Sequence, residues 1–290
     1  MPELPEVETV RRQLASVLTG ARFVLVETVE PVMLQDCDET QLRKELPNKV
    51  ITEVGRLGKY LLLRLDENIN LTIHLGMTGQ LLVSKSSDGS DSPLGVTPLG
   101  APKLEPHKHT RFAFLLEHEG AACRLDFRDA RKFGRVCLTV GGPAPRLSNL
   151  GPDAWLGEWD ADYLAVRLNK RKMPVKAFLL DQQHLSGIGN IYADEILWWT
   201  NISPLRSCSD LTAEEIGRLA TEIRVQLEEG VKRLGCTFSD FVDTEGKPGT
   251  FQEQLKAYGR QGKACSRCGA TMEKIVVAGR GTTYCSSCQH

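Results

Sequence analysis

The 290-residue sequence lacks the features that would place a protein in a membrane or outside the cell. No apolar run is long enough to cross a bilayer, and the N-terminus has no basic-then-apolar signal pattern. The nine cysteines lack the even spacing of a disulfide framework. These absences predict a cytoplasmic protein with reduced thiols and no membrane partner.

The sequence also lacks a large net charge of either sign, because 36 Lys and Arg residues against 37 Asp and Glu residues give a formal net charge of −1. A neutral total argues against a polyanion as partner, but the charges are segregated. Basic residues cluster in 124–135, 170–176 and 260–290, whereas acids concentrate in 27–45 and 210–229. Local positive faces decide contact with nucleic acid, although ordinary solvated faces would have the same composition.

The first eight residues combine prolines with three carboxylates. Removal of Met1 would leave Pro2 as a secondary α-amine, and a pKa of about 8 keeps part of such an amine uncharged at neutral pH. This amine could attack an aldehyde carbon and form an iminium ion, with Glu3, Glu6 and Glu8 as acid–base groups beside it. The alternative is an ordinary helix start with acidic residues in its first turn.

The N-terminal half predicts a helix followed by a β-rich domain. Helical spacing of apolar residues predicts a helix from Pro5 to Leu18 and a shorter one over Glu39–Leu46. Short apolar runs between turn residues favour an antiparallel sandwich or barrel, and Ser84–Pro106 predicts a long mobile loop. The predicted strands are Phe23–Val29, Val50–Val54, Tyr60–Leu65, Ile69–Leu75, Leu81–Val83, Arg111–Leu116, Cys123–Phe127 and Arg135–Val140.

The C-terminal half changes to helices after a Gly- and Pro-rich stretch that begins at Gly141. Its longest predicted helix, Thr212–Leu234, has one apolar stripe and a capping box of Thr212 and Glu215. The other predicted helices are Ala161–Leu168, Pro174–Leu180 and Asn190–Thr200. We predict an α+β multidomain protein with a β-rich domain (1–145), a linker (146–152), a helical domain (153–252) and a zinc domain (253–290).

Two Cys-x-x-Cys pairs near the C-terminus are separated by 16 residues. Such pairs bring four thiolates into the tetrahedron that Zn²⁺ prefers, and a site with four thiolates has no open position for chemistry. The intervening segment Met272–Tyr284 alternates as a β-hairpin does, with Gly279-Arg280-Gly281 at its predicted tip. The expected ligands of one structural zinc ion are Cys265, Cys268, Cys285 and Cys288.

Several motifs occur in the same order along this chain as in one enzyme family. The start, Met1–Val10, closely resembles that of bacterial formamidopyrimidine-DNA glycosylase, and the resemblance extends over nearly the whole chain to the zinc finger. Leu4 favours this group over the related endonuclease VIII-type glycosylases, which usually have glycine there. The other motifs are Gly58–Leu63, Ile73–Gly79, Asp129–Gly134, Gly187–Ala193 and Tyr258–Arg260.

The resemblance implies a base-excision repair enzyme for damaged double-stranded DNA. Such an enzyme removes 8-oxoguanine and formamidopyrimidines, then cleaves the strand at the abasic site by β,δ-elimination. The implied architecture is an N-terminal β-sandwich with the catalytic helix, a helix–two-turn–helix domain and a C-terminal β-hairpin zinc ribbon, with DNA in a cleft between two lobes. We expect a bacterial, nucleoid-associated monomer.

The same resemblance implies the catalytic residues. Pro2 would form a Schiff base with C1′ of the damaged nucleotide, and Glu3 would be the general acid–base group. Glu6 would assist proton transfer, although a helix-start carboxylate is an equal alternative. Lys59 would bind a phosphate at the lesion, although a lone lysine before a strand is usually solvated.

Further residues would hold the duplex by its backbone. His74 would contact the backbone, although a histidine among apolar strand residues is usually part of a core. Asn190 would present a helix N-terminus to phosphate, and it could also simply cap that helix. Arg280 would bind the damaged strand from the hairpin, and Lys176 is a lower-ranked candidate for a phosphate contact.

Flipping a base out of the duplex leaves a gap that must be filled. By the resemblance, Met77 and Phe133 would fill that gap and Arg131 would hydrogen-bond the orphaned partner base. Taken alone, Met77 and Phe133 would be assigned to a core. Their positions in turns favour the wedge.

The sequence departs from the family in the lid that follows the longest helix. Gly235–Phe241 is one residue shorter than is usual, and Cys236 replaces a glycine. Lesion range and opposite-base preference therefore stay open. So do three alternative functions: a glycosylase that prefers oxidised pyrimidines, a non-catalytic zinc-ribbon protein that binds DNA, and an N-terminal-proline enzyme for small carbonyl compounds. The basic segments and the zinc ribbon argue against the last of these.

Overall fold

The computed structural model describes residues 2–87, 90–92, 108–237, 244 and 248–290. The chain folds as two compact units. Unit 1 comprises Met1–Ser148 and Leu234–Thr250, and unit 2 comprises Asn149–Arg233 and Phe251–His290. No helix of the described residues is long and apolar enough to cross a membrane. The predicted domain boundaries stay a prediction.

Unit 1 opens with helix α1 (Leu4–Leu18), which begins before the predicted start because Glu3 is its extended N-cap. One face of α1 carries the apolar residues, of which Val7, Val10 and Leu14 are buried in the core of unit 1. The shorter helix α2 (Glu39–Glu45) is capped by Asp38, whose side chain accepts from the Gln41 amide.

Two antiparallel sheets enclose the core of unit 1, which confirms the predicted β-sandwich. The described strands are β1 (Arg22–Thr28), β2 (Ile51–Leu57), β3 (Tyr60–Leu65), β4 (Ile69–His74), β5 (Gln80–Ser87), β6 (Ser90–Ser92), β7 (Thr110–His118), β8 (Ala121–Arg128) and β9 (Arg135–Val140). One sheet has the order β1-β7-β8-β5-β6 and the other has the order β2-β3-β4-β9.

The loop predicted for Ser84–Pro106 is wrong at its start, because β5 continues to Ser87 and pairs with β6. Backbone pairing in an edge hairpin does not require apolar side chains, so a polar composition did not reveal these strands. The rest of the predicted loop, residues 88–89 and 93–106, lies outside the described residues.

The described part of unit 2 contains four α-helices and one hairpin. They are α3 (Ala161–Leu168), α4 (Val175–Leu180), α5 (Asn190–Thr200), α6 (Ala213–Lys232), β10 (Glu273–Val277) and β11 (Arg280–Tyr284). Thr212 and Glu215 form the predicted capping box of α6. The predicted stripe of α6 is wrong at Leu234, which lies beyond the helix end with a φ of 60° and is 42% exposed.

Candidate active site

Pro2 and Glu3 are buried at the start of α1. The backbone amide of Glu3 donates a hydrogen bond to Glu6 Oε2 over 2.7 Å. This contact between the N-cap and the third helical residue is part of a capping box, which satisfies free amides at a helix start. The two interpretations of the N-terminus therefore describe one arrangement, in which the helix start holds Pro2 and Glu3.

The Glu6 carboxylate connects this helix start to the segment that follows α6. Its Oε1 accepts from the Cys236 amide over 2.6 Å. Gly235 beside it has a φ of 80°, and a Cβ there would lie 2.5 Å from Glu6 Oε1, so the position requires glycine. Burial, and after it the charge of Glu3, raises the pKa of Glu6 to about 7. Glu6 can therefore take up and release a proton near neutral pH.

Glu8 is the third carboxylate of the N-terminal set, and it serves a different purpose. It accepts hydrogen bonds from Arg11, Arg12 and Arg56 over 2.8 to 3.0 Å. Burial alone would raise the pKa of Glu8, but the hydrogen bonds from these arginines lower it. Glu8 therefore stays ionised and anchors α1 to β2, which makes it unsuited to acid–base work.

Lys59 directly precedes β3 and is 7% exposed, and His74 ends β4 opposite Tyr60. The Gly76 amide donates to His74 Nδ1 over 3.2 Å, which leaves the proton of the neutral ring on Nε2. Burial, followed by the charges of Lys59 and Arg135, lowers the pKa of His74 to about 4. At pH 7 the ring is neutral, with one N–H donor.

Met77 and Phe133 are apolar residues on the surface, with exposures of 40% and 46%. Met77 lies in the turn between β4 and β5, and Phe133 lies between β8 and β9. The Arg131 guanidinium carbon lies 4.6 Å from the centre of the Phe133 ring. The structure therefore excludes a core position for Met77 and Phe133.

In unit 2, Asn190 and the hairpin are joined directly. Asn190 Nδ2 donates to the carbonyl of Gly281 over 2.9 Å, next to the exposed Arg280. Ala278 and Gly279 have φ values of 49° and 71°, which suits a two-residue hairpin turn. Arg280 is therefore the first residue of β11 and not the tip itself.

The prediction that Lys176 binds phosphate is wrong, because its side chain is fully buried. Its Nζ donates to Asp194 Oδ1 over 2.6 Å and to Thr282 Oγ1 over 2.7 Å. The other oxygen of Asp194 accepts from the Thr283 amide over 3.0 Å. A carboxylate from α5 makes burial of the lysine possible, and the pair ties α4 and α5 to β11.

Two acids of α5 were missed by sequence reasoning. Besides Asp194, the buried Glu195 accepts from three successive backbone amides at 2.8 Å each. These amides belong to Lys256, Ala257 and Tyr258, so Glu195 fixes the chain where it approaches the zinc domain. The signal that could have revealed both acids is their place in an otherwise apolar helix.

The four predicted zinc ligands lie together in unit 2. All four sulfur atoms are within 4.8 Å of one another, and Cys268 Sγ lies 3.5 Å from Cys285 Sγ. A Zn–S bond of about 2.3 Å places the sulfurs of a tetrahedral site about 3.8 Å apart. The cluster of Cys265, Cys268, Cys285 and Cys288 therefore fits one zinc ion.

Family models match three stretches that together span most of the chain. Residues 1–136 match the formamidopyrimidine-DNA glycosylase N-terminal domain, residues 150–242 match its H2TH domain, and residues 262–290 match the zinc finger found in FPG and IleRS. The chain belongs to the formamidopyrimidine-DNA glycosylase family.

Relatives of the family match from end to end. The formamidopyrimidine-DNA glycosylase of Pelotomaculum thermopropionicum is 39% identical over 100% of this chain and 99% of its own length. The structure of MutM in complex with DNA containing carbocyclic 8-oxo-G has a TM-score of 0.85 and 33% identity, with 100% of both chains covered. A variant of the Lactococcus lactis enzyme with Fapy-dG-containing DNA has a TM-score of 0.84 and 34% identity, again over 100% of both.

Membership of the formamidopyrimidine-DNA glycosylase family confirms the predicted family and fold class. The zinc-finger match and the cysteine cluster confirm the predicted zinc site. The roles of individual catalytic and DNA-binding residues stay predictions. Of the predicted lid, Gly235, Cys236 and Thr237 are described, whereas residues 238–241 lie outside the described residues.

Proposed function

We propose that this chain removes oxidised purines from duplex DNA and then cleaves the strand, with Pro2 as the nucleophile. The observation that carries the mechanism is the fixed position of Pro2 and Glu3 at the buried start of α1, where Glu6 accepts from the Glu3 amide. Removal of Met1 frees the secondary amine of Pro2. Because the substrate is chromosomal DNA, the enzyme acts in the cytoplasm at the nucleoid.

The chemistry runs through a covalent intermediate. The Pro2 nitrogen bonds to C1′ of the damaged nucleotide as the bond to the base breaks, and opening of the sugar gives an iminium ion. The iminium withdraws electrons, so the C2′ proton becomes acidic. Loss of that proton expels the 3′ phosphate, and a second elimination expels the 5′ phosphate. Water then hydrolyses the iminium and frees Pro2.

Three side chains of unit 1 support these steps. Glu3 protonates the sugar oxygen as the ring opens, because it directly follows the nucleophile. Glu6 exchanges protons next to Glu3, and its pKa of about 7 suits a group that must both gain and lose a proton. Lys59 binds the phosphate of the lesion with its ammonium group.

Backbone contacts position the duplex and carry no sequence information. His74 donates one hydrogen bond to a phosphate from Nε2, since Nδ1 already accepts from Gly76. Asn190 and Arg280 are held side by side through Gly281, and they bind the damaged strand together. The zinc ion, held by the four cysteines, supplies no chemistry and stabilises the hairpin that carries Arg280.

Met77, Arg131 and Phe133 form the wedge that replaces the flipped nucleotide. Extrusion of a base costs a few kcal/mol of stacking and pairing. The exposed side chains of Met77 and Phe133 offset part of that loss by stacking in the gap. Arg131 donates hydrogen bonds to the base that has lost its partner.

Borohydride trapping tests this function directly. The full-length zinc-loaded protein is mixed with a duplex that contains 8-oxoguanine, reduced, and analysed by intact mass. We expect one covalent adduct on a chain that lacks Met1, and a Pro2→Gly variant that traps and excises as well as the parent would overturn the mechanism. Paired assays on oxidised purines and oxidised pyrimidines decide the substrate class, and binding without turnover would favour the non-catalytic alternative.

A further inference from the structure

Asp129 is a buried carboxylate that lies outside the chemistry described above. It follows β8 and is 1% exposed. A buried carboxylate is costly unless its oxygens accept hydrogen bonds. Both oxygens of Asp129 do so, and the donors belong to the two loops that carry the wedge residues.

Within its own loop, Asp129 fixes the backbone on both sides of Phe133. Oδ1 accepts from the Arg131 amide over 3.1 Å, and Oδ2 accepts from the Gly134 amide over 2.8 Å. The backbone of Asp129 is itself held, since its carbonyl accepts from Arg111 Nε over 2.7 Å. The segment from 129 to 134 is thus closed around one carboxylate.

The same carboxylate reaches across to the loop that carries Met77. Thr78 Oγ1 donates to Asp129 Oδ1 over 2.5 Å. The two loops also touch closely, because a Cβ on Gly76 would lie 2.6 Å from the Gly134 nitrogen. Gly76 has a φ of 66°, so both its conformation and its surroundings exclude a side chain. The residues on either side of Met77 are therefore tied to the Phe133 loop.

We propose that Asp129 is a positioning residue that locks the Met77 loop and the Arg131–Phe133 loop into one preformed wedge. This inference rests on the proposed function and concerns how the duplex is opened. A side chain that is ordered only on binding costs conformational entropy at that moment. Asp129 removes this cost in advance for both loops, so the wedge enters the base stack as a single body.

Thr78 offers the most selective test, because its hydroxyl is the hydrogen bond that joins Asp129 to the other loop. Thr78→Val removes that bond and keeps the shape of the side chain, whereas Thr78→Ser keeps the hydroxyl. Asp129→Asn places an NH₂ group against a backbone amide and disturbs the Phe133 loop as well. Thr52→Val is the matched control, since the Thr52 hydroxyl donates to Arg64 O on an exposed part of β2.

Each variant is assayed on two substrates. One is a duplex with a lesion, which requires the wedge. The other is a single-stranded oligonucleotide with a preformed abasic site, which requires Pro2 but has no stack to open. We expect excision from the duplex to fall roughly tenfold in Thr78→Val and more in Asp129→Asn. Strand cleavage of the single strand should stay unchanged, and Thr78→Ser and Thr52→Val should match the parent on both substrates.

Equal losses on both substrates would overturn the inference, because Asp129 would then support the catalytic unit as a whole. An unchanged duplex rate in Thr78→Val would overturn it as well. Fluorescence of 2-aminopurine opposite the lesion reports unstacking independently, and it should rise less in Thr78→Val than in the parent. If the parent itself acts on neither substrate, the proposed function fails, and the inference fails with it.

Discussion

Glu6 and Glu8 stand two residues apart on α1 and are both buried, yet the pKa of Glu6 is raised and that of Glu8 is lowered. Glu6 accepts from the backbone amides of Glu3 and Cys236, and burial with the nearby Glu3 raises its pKa to about 7. Glu8 accepts from three arginines, which lower its pKa in spite of burial. The difference lies in the groups that donate hydrogen bonds to each buried carboxylate. Neutral backbone amides leave Glu6 able to exchange a proton, whereas the charged guanidinium groups keep Glu8 ionised as an anchor.

In unit 2, a fully buried ion pair anchors neighbouring elements, as Glu8 and its arginines do in unit 1. Lys176 and Asp194 have side-chain exposures of 0% and 1%, and their ion pair is completed by Thr282 and Thr283 of the hairpin. A buried pair of this kind is weak evidence for stability but fixes geometry, because removal of one partner leaves a buried charge. Here the geometry that it fixes is that of β11, which carries Arg280.

The largest expected effect comes from breaking that anchor. Lys176→Met should destabilise unit 2 by about 3 to 5 kcal/mol, because Asp194 would stay buried without its cation. Binding of lesion duplex should weaken with it, since the hairpin loses the hydrogen bond between Thr282 and Lys176 of α4. Chemical denaturation and zinc content measure the first effect, and a filter-binding titration measures the second.

The double variant Lys176→Met/Asp194→Asn sharpens this prediction. It removes both charges and keeps an oxygen for the Thr283 amide, so it should recover part of the lost stability. Lys232→Met is the matched control, since the Lys232 side chain is 58% exposed in its ion pairs and should contribute little to stability. A Lys176→Met protein as stable as this control would contradict the anchoring role.

The second largest effect is expected in the pH dependence of stability, which distinguishes Glu6 from the anchoring residues. Its pKa is raised from 4.5 to about 7, so the folded protein holds a proton that the unfolded chain releases. This contribution to stability is full below pH 4.5 and is lost, by about 3 kcal/mol, as the pH rises through 7. His74 acts in the opposite direction, since its pKa is lowered to about 4 and its contribution grows from pH 4 to 6.5.

The measurable quantity is therefore the difference between the parent and Glu6→Gln at pH 5 and at pH 7.5. The parent should lose more stability than Glu6→Gln over this interval. Glu39→Gln, on the exposed face of α2, should keep the parent's slope. Parallel slopes for the parent and Glu6→Gln would show that Glu6 does not exchange a proton in this range.

Local sequence patterns predicted much of this structure, but they did not predict contacts between residues that are far apart in the chain. Short apolar runs between turn residues predicted Tyr60–Leu65 and Arg135–Val140 with their observed bounds. The partner of Glu6 is 230 residues away, and Lys176 meets Thr282 across 106 residues. No local pattern reports such a partner, so the sequence could not tell that Lys176 is buried or which carboxylate near Pro2 is an anchor.

A smaller effect is expected from Glu8 itself. Glu8→Gln keeps the size of the side chain but removes the charge that Arg56 faces, and the Arg56 side chain is only 3% exposed. Loss of one charged hydrogen bond costs roughly 2 kcal/mol. Thermal unfolding should report this loss, while the pH profile of excision keeps its shape because Glu6 is untouched. Glu39→Gln, whose ion pair with Arg43 is exposed, should cost less than about 0.5 kcal/mol.

The smallest effect is expected from a substitution at Gly235, beside the hydrogen bond between Glu6 and the Cys236 amide. Gly235→Ala should destabilise the protein by about 1 to 2 kcal/mol, because alanine resists a φ of 80°. The added Cβ would lie only 2.5 Å from Glu6 Oε1, so it would displace that oxygen and weaken its hydrogen bond from the Cys236 amide. The pH profile of excision should therefore shift, an effect that strain alone would not produce. Gly142→Ala is the control, because a Cβ at Gly142 would have no atom of the described residues within 4 Å. An unshifted pH profile in Gly235→Ala would mean that the segment after α6 does not influence the proton on Glu6.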